Sequence, residues 1–293
     1  MLLIDISMVF HRCLHKLDFL KTSTGIHTGI EFGTFRILES LPKKFPDQEI
    51  ILAFDQGRPK RKDIDPAYKA NRNPKSDEFY SRINKLKIIL SQLYRTASEE
   101  DEEADEIICD LAHQYPGPHF IYSNDDDLLQ VIDDEREIQV VKSFESKLYF
   151  WDEEKVREKY RVGPALLPIF RAFTGDKSDN IPGIPRINKL LLAEALYFSL
   201  EHCKTDSTFG YLNIMKENNL FSENMKIKII EWIESGRFVT NYRLLKLGSL
   251  NIRLEDPKHD LNKVKKYLEK LEIYSLKICK KLGMNAIQPN EEF

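Results

Sequence analysis

Two aspartates three residues apart, Asp176 and Asp179, lie in the polar stretch Gly175-Asp176-Lys177-Ser178-Asp179-Asn180-Ile181-Pro182-Gly183, which follows an apolar run (Leu166, Leu167, Ile169, Phe170, Phe173). If the turn there is helical, both carboxylates face one point, which is how a divalent cation is gripped. A simpler use of the same residues is helix capping by Ser178 or Asp179. More acids stand at the ends of short apolar segments: Asp5 after Leu2-Leu3-Ile4, Asp55 after Glu49 to Phe54, and Asp125 after His119-Phe120-Ile121-Tyr122. The run Glu99 to Glu106 precedes the apolar helix Ile107 to Ala112. Its acids either stabilise the helix start through the macrodipole or, at Glu103, Asp105 and Glu106, project toward the strand-end aspartates. Crowding Asp125, Asp126 and Asp127 raises their pKa values unless cations neutralise them. Hard oxygen donors with no His or Cys pattern suit Mg²⁺ or Mn²⁺ and not zinc.

These side chains need a scaffold that gathers them. Apolar strands at 2–4, 49–54, 119–122, 138–141 and 147–151 alternate with helical stretches, from Asp5 to about Leu20 and from Thr28 to Leu41. That alternation predicts an α/β fold with a twisted, mainly parallel sheet flanked by helices, whose last strand is an edge. In such a sheet the carboxyl ends of the strands line one crevice, so Asp5, Asp55 and Asp125 converge. The segment 58–98 is too long for a plain connection and reads as a functional lid or arch, carrying a helix from Phe79 to Tyr94. Its basic start (Arg58, Lys60, Arg61, Lys62) leads to Tyr68-Lys69-Ala70-Asn71-Arg72, an aromatic able to stack on a base with two cations spaced for phosphates. Beyond about Tyr160 only helical periodicity remains: 164–173, 187–200, 225–234, 238–247 and one long helix from Leu261 to Leu282. A catalytic region 1–160 and an all-helical region 161–293 are therefore expected, with a frayed tail from Gln288 to Phe293.

Composition limits the alternatives. A hydrophobic content of 42% and a charged content of 31% over 293 residues describe a soluble chain with a real core. There is neither an apolar run of membrane-spanning length nor a signal-like start. Cys13, Cys109, Cys203 and Cys279 lack metal or disulfide spacing and read as reduced thiols of a cytoplasmic protein. The net charge of −3 hides a partition, because setting the nine candidate site acids apart leaves +6 on the remainder. That distribution favours a phosphate backbone as partner.

Taken together, Leu3-Ile4-Asp5, Ala53-Phe54-Asp55, Tyr68 to Arg72, Glu103-Ala104-Asp105-Glu106, Ser123 to Gln130 and Gly175 to Gly183 resemble the 5′ nucleases, which include flap endonucleases, phage 5′→3′ exonucleases and the 5′-nuclease domain of bacterial DNA polymerase I. The motifs occur in the family's order over residues 3 to about 190, and the chain's size resembles a free-standing phage-type enzyme. The resemblance implies a helical arch, a C-terminal helix–three-turn–helix element for duplex DNA, and two Mg²⁺ ions replaceable by Mn²⁺. Carried over, Asp5, Asp55, Glu103, Asp105 and Asp125 serve the tighter metal, Asp127, Asp176 and Asp179 the second, with Asp105 near both and Glu106 as a further ligand. Lys69 and Arg72 steer the scissile phosphate; Arg58, Arg61, Tyr68, Ser178, Arg186 and Lys189 contact DNA. The implied partners are DNA with 5′ flaps, nicks or free 5′ ends and RNA:DNA hybrids, met by a monomer in replication, with no membrane.

Two positions depart from the family's pattern. Its acidic helix ends in Asp where this chain has Glu106, and its Gly-Ile-Gly loop is replaced by Pro185-Arg186-Ile187-Asn188-Lys189. Asn188 tolerates a left-handed backbone better than Arg186, and no potassium site is expected there. An inactive structure-specific DNA-binding relative is the alternative; it implies loss of several strand-end acids, and all are present. An RNA-cleaving PIN-type enzyme fits less well with the Lys69/Arg72 segment and the long helical extension.

Overall fold

The structure is a computed structural model, and it describes residues 1–145, 147–202 and 220–284. Six strands form one sheet: β1 (Leu2–Asp5), β2 (Ile50–Ala53), β3 (Arg95–Ala97), β4 (His119–Tyr122), β5 (Ile138–Phe144) and β6 (Lys147–Trp151), in the order β3-β2-β1-β4-β5-β6. All pairings are parallel except β5 with the edge strand β6. Alternation of side chains splits each strand between two cores. Leu2, Ile4, Leu52 and Val141 belong to one, while Leu3, Ile51, Ala53 and Val140 belong to the other. Every one of these is fully buried, which is why the central strands read as continuous apolar runs.

On one face lie α1 (Ile6–Leu17), α2 (Gly29–Ser40) and α4 (Asp77–Leu90); α3 is the single turn Arg61–Ile64. On the other lie α5 (Ala104–Gln114) and α7 (Leu167–Thr174), with α6 (Glu153–Tyr160) between them in sequence. Among the described residues the remaining helices are α8 (Lys189–His202), α9 (Glu223–Glu234), α10 (Arg237–Leu245), α11 (Leu261–Lys270) and α12 (Lys277–Lys281). The tail 288–293 lies outside the described residues.

Several expectations are corrected. The helix expected over 79–94 begins at Asp77, capped by Ser76 Oγ (3.2 Å from Phe79 N), and its Phe79, Ile83, Leu86 and Leu90 are core residues beside Ile4. The second half of the expected arch is thus a crossover helix, because its apolar stripe is buried on the sheet. Strand β3 escaped the sequence reading: three residues starting with Arg95 carry no periodicity, and their pairing with β2 and a bridge from Thr96 to Glu255 are long-range. The helix expected from Leu261 to Leu282 is broken into α11 and α12 by a turn with Glu272 at φ 54°. Apolar packing runs across the boundary expected at 160. Phe173, Leu192, Ile229 and Phe238 pack in one cluster with Leu3 and Ile51, and Val264 and Leu268 pack in the other with Leu2. Among the described residues no helix is long and apolar enough to cross a membrane.

Candidate active site

From β1 the chain goes one way to β2 and β3 and the other way to β4 and β5, so a switch point opens between β1 and β4 at their carboxyl ends. Asp5 is the last residue of β1 and also caps α1, accepting from Met8 N (2.9 Å); its other oxygen accepts from Ser123 Oγ (2.9 Å) just past β4. Burial, then the nearby Asp55 and Asp125, push Asp5 up to about 7. Asp55, exposed just beyond β2, accepts from Ala104 N (2.8 Å) and so ties the start of α5 to the sheet. Ser123 Oγ takes the N–H of Asp125, and Asp125 Oδ1 takes the N–H of Asp127 (2.8 Å), which turns both carboxylates inward.

Asp105, Asp125 and Asp127 each place an oxygen so that all three lie within 4.8 Å of one another. A cavity of about 200 Å³ is lined by Asp5, Asp55, Glu103, Asp105 and Asp125 together with Lys69 and Arg72. Burial and then Asp105 hold Asp125 above the ordinary carboxylate range. Burial, with Asp125 and Asp105 added, raises Asp127 to about 8 against the pull of Arg171. Asp105 goes the other way: burial would raise it, but Arg61 and Lys69 outweigh that and lower it.

The Asp176–Asp179 stretch is a turn and not the first turn of a helix. Asp176 and Ile181 exchange backbone hydrogen bonds (2.8 and 2.7 Å), and Gly175 has φ 72°, where an added Cβ would stand 2.5 Å from Gly183 N. Asp176 accepts from Ser178 N (2.7 Å) and Oγ (2.6 Å), so Ser178 orients this acid. Lys69 N donates to Asp179 O (2.9 Å), Asn71 Nδ2 to Lys177 O (3.1 Å) and Asn180 Nδ2 to Ala67 O (2.8 Å), stitching the turn to residues 67–72. Lys69 Nζ bonds Glu103 and stands 3.6 Å from Asp179, while Arg72 pairs with Asp179 and keeps half its side chain in solvent.

Three assignments change. Arg61 is buried, not a DNA contact: its guanidinium reaches Asp105 (2.9 Å), Glu106 (2.7 Å), Glu103 (3.3 Å) and Tyr68 Oη (3.0 Å). Tyr68 is 1% exposed, packed with Ile181, Leu244 and Leu245 and donating to Glu103 (2.9 Å), so its ring is not offered to a base. Glu106 turns from the acid trio; its second oxygen accepts from Gly248 N (2.7 Å), making it a strut between α5 and the segment after α10. Arg58 is exposed and paired with Asp63. In the altered loop Arg186, not Asn188, adopts the left-handed backbone (φ 63°); Asn188 Oδ1 instead caps α8 through Leu190 N (3.0 Å). Arg186 and Lys189 are both exposed there.

The sequence reading missed Arg171 and His11. Arg171 bridges Asp127 and Asp176, and the available signal was a lone cation among Leu167, Ile169, Phe170 and Phe173. His11 lines the acid cavity with Ser7 and Met8, a spacing that shares one face of α1.

A family model described as the 5′-3′ exonuclease N-terminal resolvase-like domain matches residues 1–161. The chain belongs to the 5′-3′ exonuclease family. A protein of Aquifex aeolicus (strain VF5) named 5′-3′ exonuclease is 31% identical over 287 residues, covering 94% of this chain and 92% of that one. DNA polymerase I of Caldicellulosiruptor bescii is 30% identical over 303 residues, covering 98% of this chain and 34% of that one. The chain thus spans about a third of that polymerase, and 21% of the Pseudomonas aeruginosa DNA polymerase I, to which it is 34% identical over 194 residues. The fold matches a zinc-bound T5 5′-exonuclease (TM-score 0.64, 16% identity, 96% of this chain and 97% of that one). It also matches human GEN1 in complex with Holliday junction DNA (TM-score 0.61, 14% identity, 96% and 70%).

Proposed function

We propose that this 5′-3′ exonuclease family member is a divalent-metal-dependent, structure-specific 5′ nuclease that hydrolyses phosphodiesters near the 5′ ends of branched or nicked DNA. The observation carrying this reading is the convergence of Asp105, Asp125 and Asp127 at a cavity that Asp105 and Asp125 line together with Asp5, Asp55 and Glu103. The donor set fits hard divalent cations, since every donor is a carboxylate oxygen and the crowding that raises Asp5 and Asp125 is relieved by positive charge. These residues would hold Mg²⁺, in a pair of ions if Asp127, Asp176 and Asp179 complete a second site, with Mn²⁺ able to substitute. When bound, such ions activate water and stabilise charge on the phosphate and leaving oxygens.

The chain's own groups do the rest. Lys69 and Arg72 stand on the cavity lip, held by the stitched 67–72 segment, and a phosphate competes with Glu103 and Asp179 for them. Arg72, half in solvent, is freer to swing onto the strand; Lys69, largely enclosed, is placed for the scissile group. Arg61 and Arg171 keep the like-charged acids in position without leaving the interior. The proposal extends to helices α8–α10 as the duplex-binding element, with Arg186 and Lys189 meeting phosphate, to a monomer acting in the cytoplasm, and to RNA:DNA hybrids as further substrates.

Cleavage of a 5′-labelled flap duplex tests the reading. Cutting near the junction in Mg²⁺ and Mn²⁺, abolished by EDTA and by Asp127→Asn, is expected. Tight binding without cutting in either metal would replace it with a DNA-binding role.

A further inference from the structure

A second cavity, of about 290 Å³, opens between α1, α2 and the strands β4, β5 and β6. Arg12, Lys16, Arg36 and Lys44 line it, and no carboxylate does. In a chain of net charge −3, four cations facing one volume without an acid is a departure from even mixing. None of the four makes an ion pair among the described residues. Exposed lysines are often solitary, but Arg12 is half-buried, and a guanidinium drawn from water normally gains a carboxylate. Its partners are two neutral hydroxyls instead: Tyr122 Oη (3.0 Å) and Ser143 Oγ, the latter also accepting from Tyr122 Oη (3.0 Å). Ser143 accepts twice, so its own hydroxyl hydrogen is left for another acceptor. Apart from Ser40, the rest of the lining is apolar, with Ile37, Leu41 and Leu148 among it, a surface against which a planar ring can pack. Fixed hydroxyls, an unneutralised guanidinium fork and exposed lysines are the chemistry of phosphate recognition, and the volume is that of a small ligand.

We propose that this cavity is a second anion site that takes the phosphate monoester of a nucleotide, with Arg12, Arg36 and Lys44 on the phosphate. Its walls connect to the acid cluster through two short paths. Tyr122 precedes Ser123, which donates to Asp5 (2.9 Å), and Ser143 exchanges hydrogen bonds with Asn124 (2.8 and 3.1 Å), the neighbour of Asp125. Occupancy is thereby positioned to bias the loop that carries Asp125. Two sources supply the same chemistry, a free mononucleotide or the phosphorylated 5′ end of a strand.

Calorimetric titration of the whole chain in EDTA at low salt separates them, using dAMP, deoxyadenosine, inorganic phosphate, and short oligodeoxynucleotides with a 5′-phosphate or a 5′-hydroxyl. The expected result is one-to-one binding of dAMP, at least about tenfold weaker for deoxyadenosine and in Arg36→Glu/Lys44→Glu, because charge-assisted bonds to phosphate supply most of the affinity. An unchanged thermal midpoint of that double variant, both side chains being exposed, verifies its fold. Arg12→Gln is expected to weaken dAMP as well. A 5′-phosphate preference among oligonucleotides that disappears in the double variant, without dAMP binding, assigns the site to strand ends. Equal binding by wild type and variants, no preference for phosphorylated forms, or capture of inorganic phosphate alone overturns the proposal. Since binding is read without metal or turnover, its failure leaves the cleavage reading standing, and failure of cleavage leaves this site standing.

Discussion

Helix α5 carries two acidic regions that meet opposite fates. At its start, Asp105 lies against Arg61 and within reach of Asp125 and Asp127. Five residues on, Asp110 accepts from the backbone N–H groups of Leu250 (2.8 Å), Asn251 (3.0 Å) and Ile252 (2.6 Å) and from Ser249 Oγ (3.2 Å). Burial would raise Asp110, but those donors outweigh it and lower it. Asp110 is satisfied by groups that never leave, so it is structure. In the acid trio Asp105 and Asp125 each accept one backbone N–H, Arg61 and Arg171 supply the remaining compensation, and the three carboxylates crowd one another, so the trio has capacity left for a ligand. Asp105 and Asp110 are both buried; what differs is how much of each carboxylate the backbone satisfies, one N–H at Asp105 and three at Asp110.

The sharpest break of this contrast is a pair of substitutions. Asp125→Asn is expected to lower kcat/KM for flap cleavage at least ~10³-fold, about 4 kcal/mol of transition-state stabilisation. Its unfolding midpoint in EDTA should hold or rise, because one of several crowded charges is removed. Asp110→Ala is expected to do the reverse, losing about 2–3 kcal/mol of stability in urea titration as several donors lose their acceptor. Cleavage per folded molecule should be retained; a mutant as inactive as Asp125→Asn would erase the distinction.

A smaller effect concerns pH. Asp5, raised to about 7, keeps a proton in the folded chain that the unfolded chain releases above roughly pH 4. Its contribution to stability is therefore complete below about pH 4 and is lost as pH rises through about 7. Unfolding midpoints in EDTA should fall between pH 5 and 8, and Asp5→Asn should flatten that slope. A wild-type profile already flat would show that Asp5 is ionised throughout.

The smallest expected effect is that of Tyr68→Phe. It deletes the bond to Glu103 and one from Arg61, costing about 1 kcal/mol. Affinity for flap DNA, measured by anisotropy in Ca²⁺, should not change; a marked loss would return the ring to the substrate.

Much of this was legible in the chain itself. Buried parallel strands are continuous apolar runs, so β1, β2 and β4 stand out without context, and the aspartates at or just beyond their ends (Asp5, Asp55, Asp125) mark the carboxyl edge. Strand β3 was not legible because three residues hold no period and its pairing partners are supplied from elsewhere. Among the candidate residues, type and order along the chain pointed to Asp5, Asp55, Glu103, Asp105, Asp125, Lys69 and Arg72, which line one cavity in the fold. They could not say which way a side chain turns. Arg61 and Arg72 are both cations in one basic segment, yet one is 5% exposed among carboxylates and the other stands half in solvent. Tyr68 and Glu106 likewise had the right chemistry and the wrong direction. The sequence alone determined composition, periodicity and the supply of acids, because these are local properties. Only the tertiary structure decided partners and burial, because each depends on atoms that folding brings from distant parts of the chain, as Asp105 is brought to Arg61 and Gly248 to Glu106.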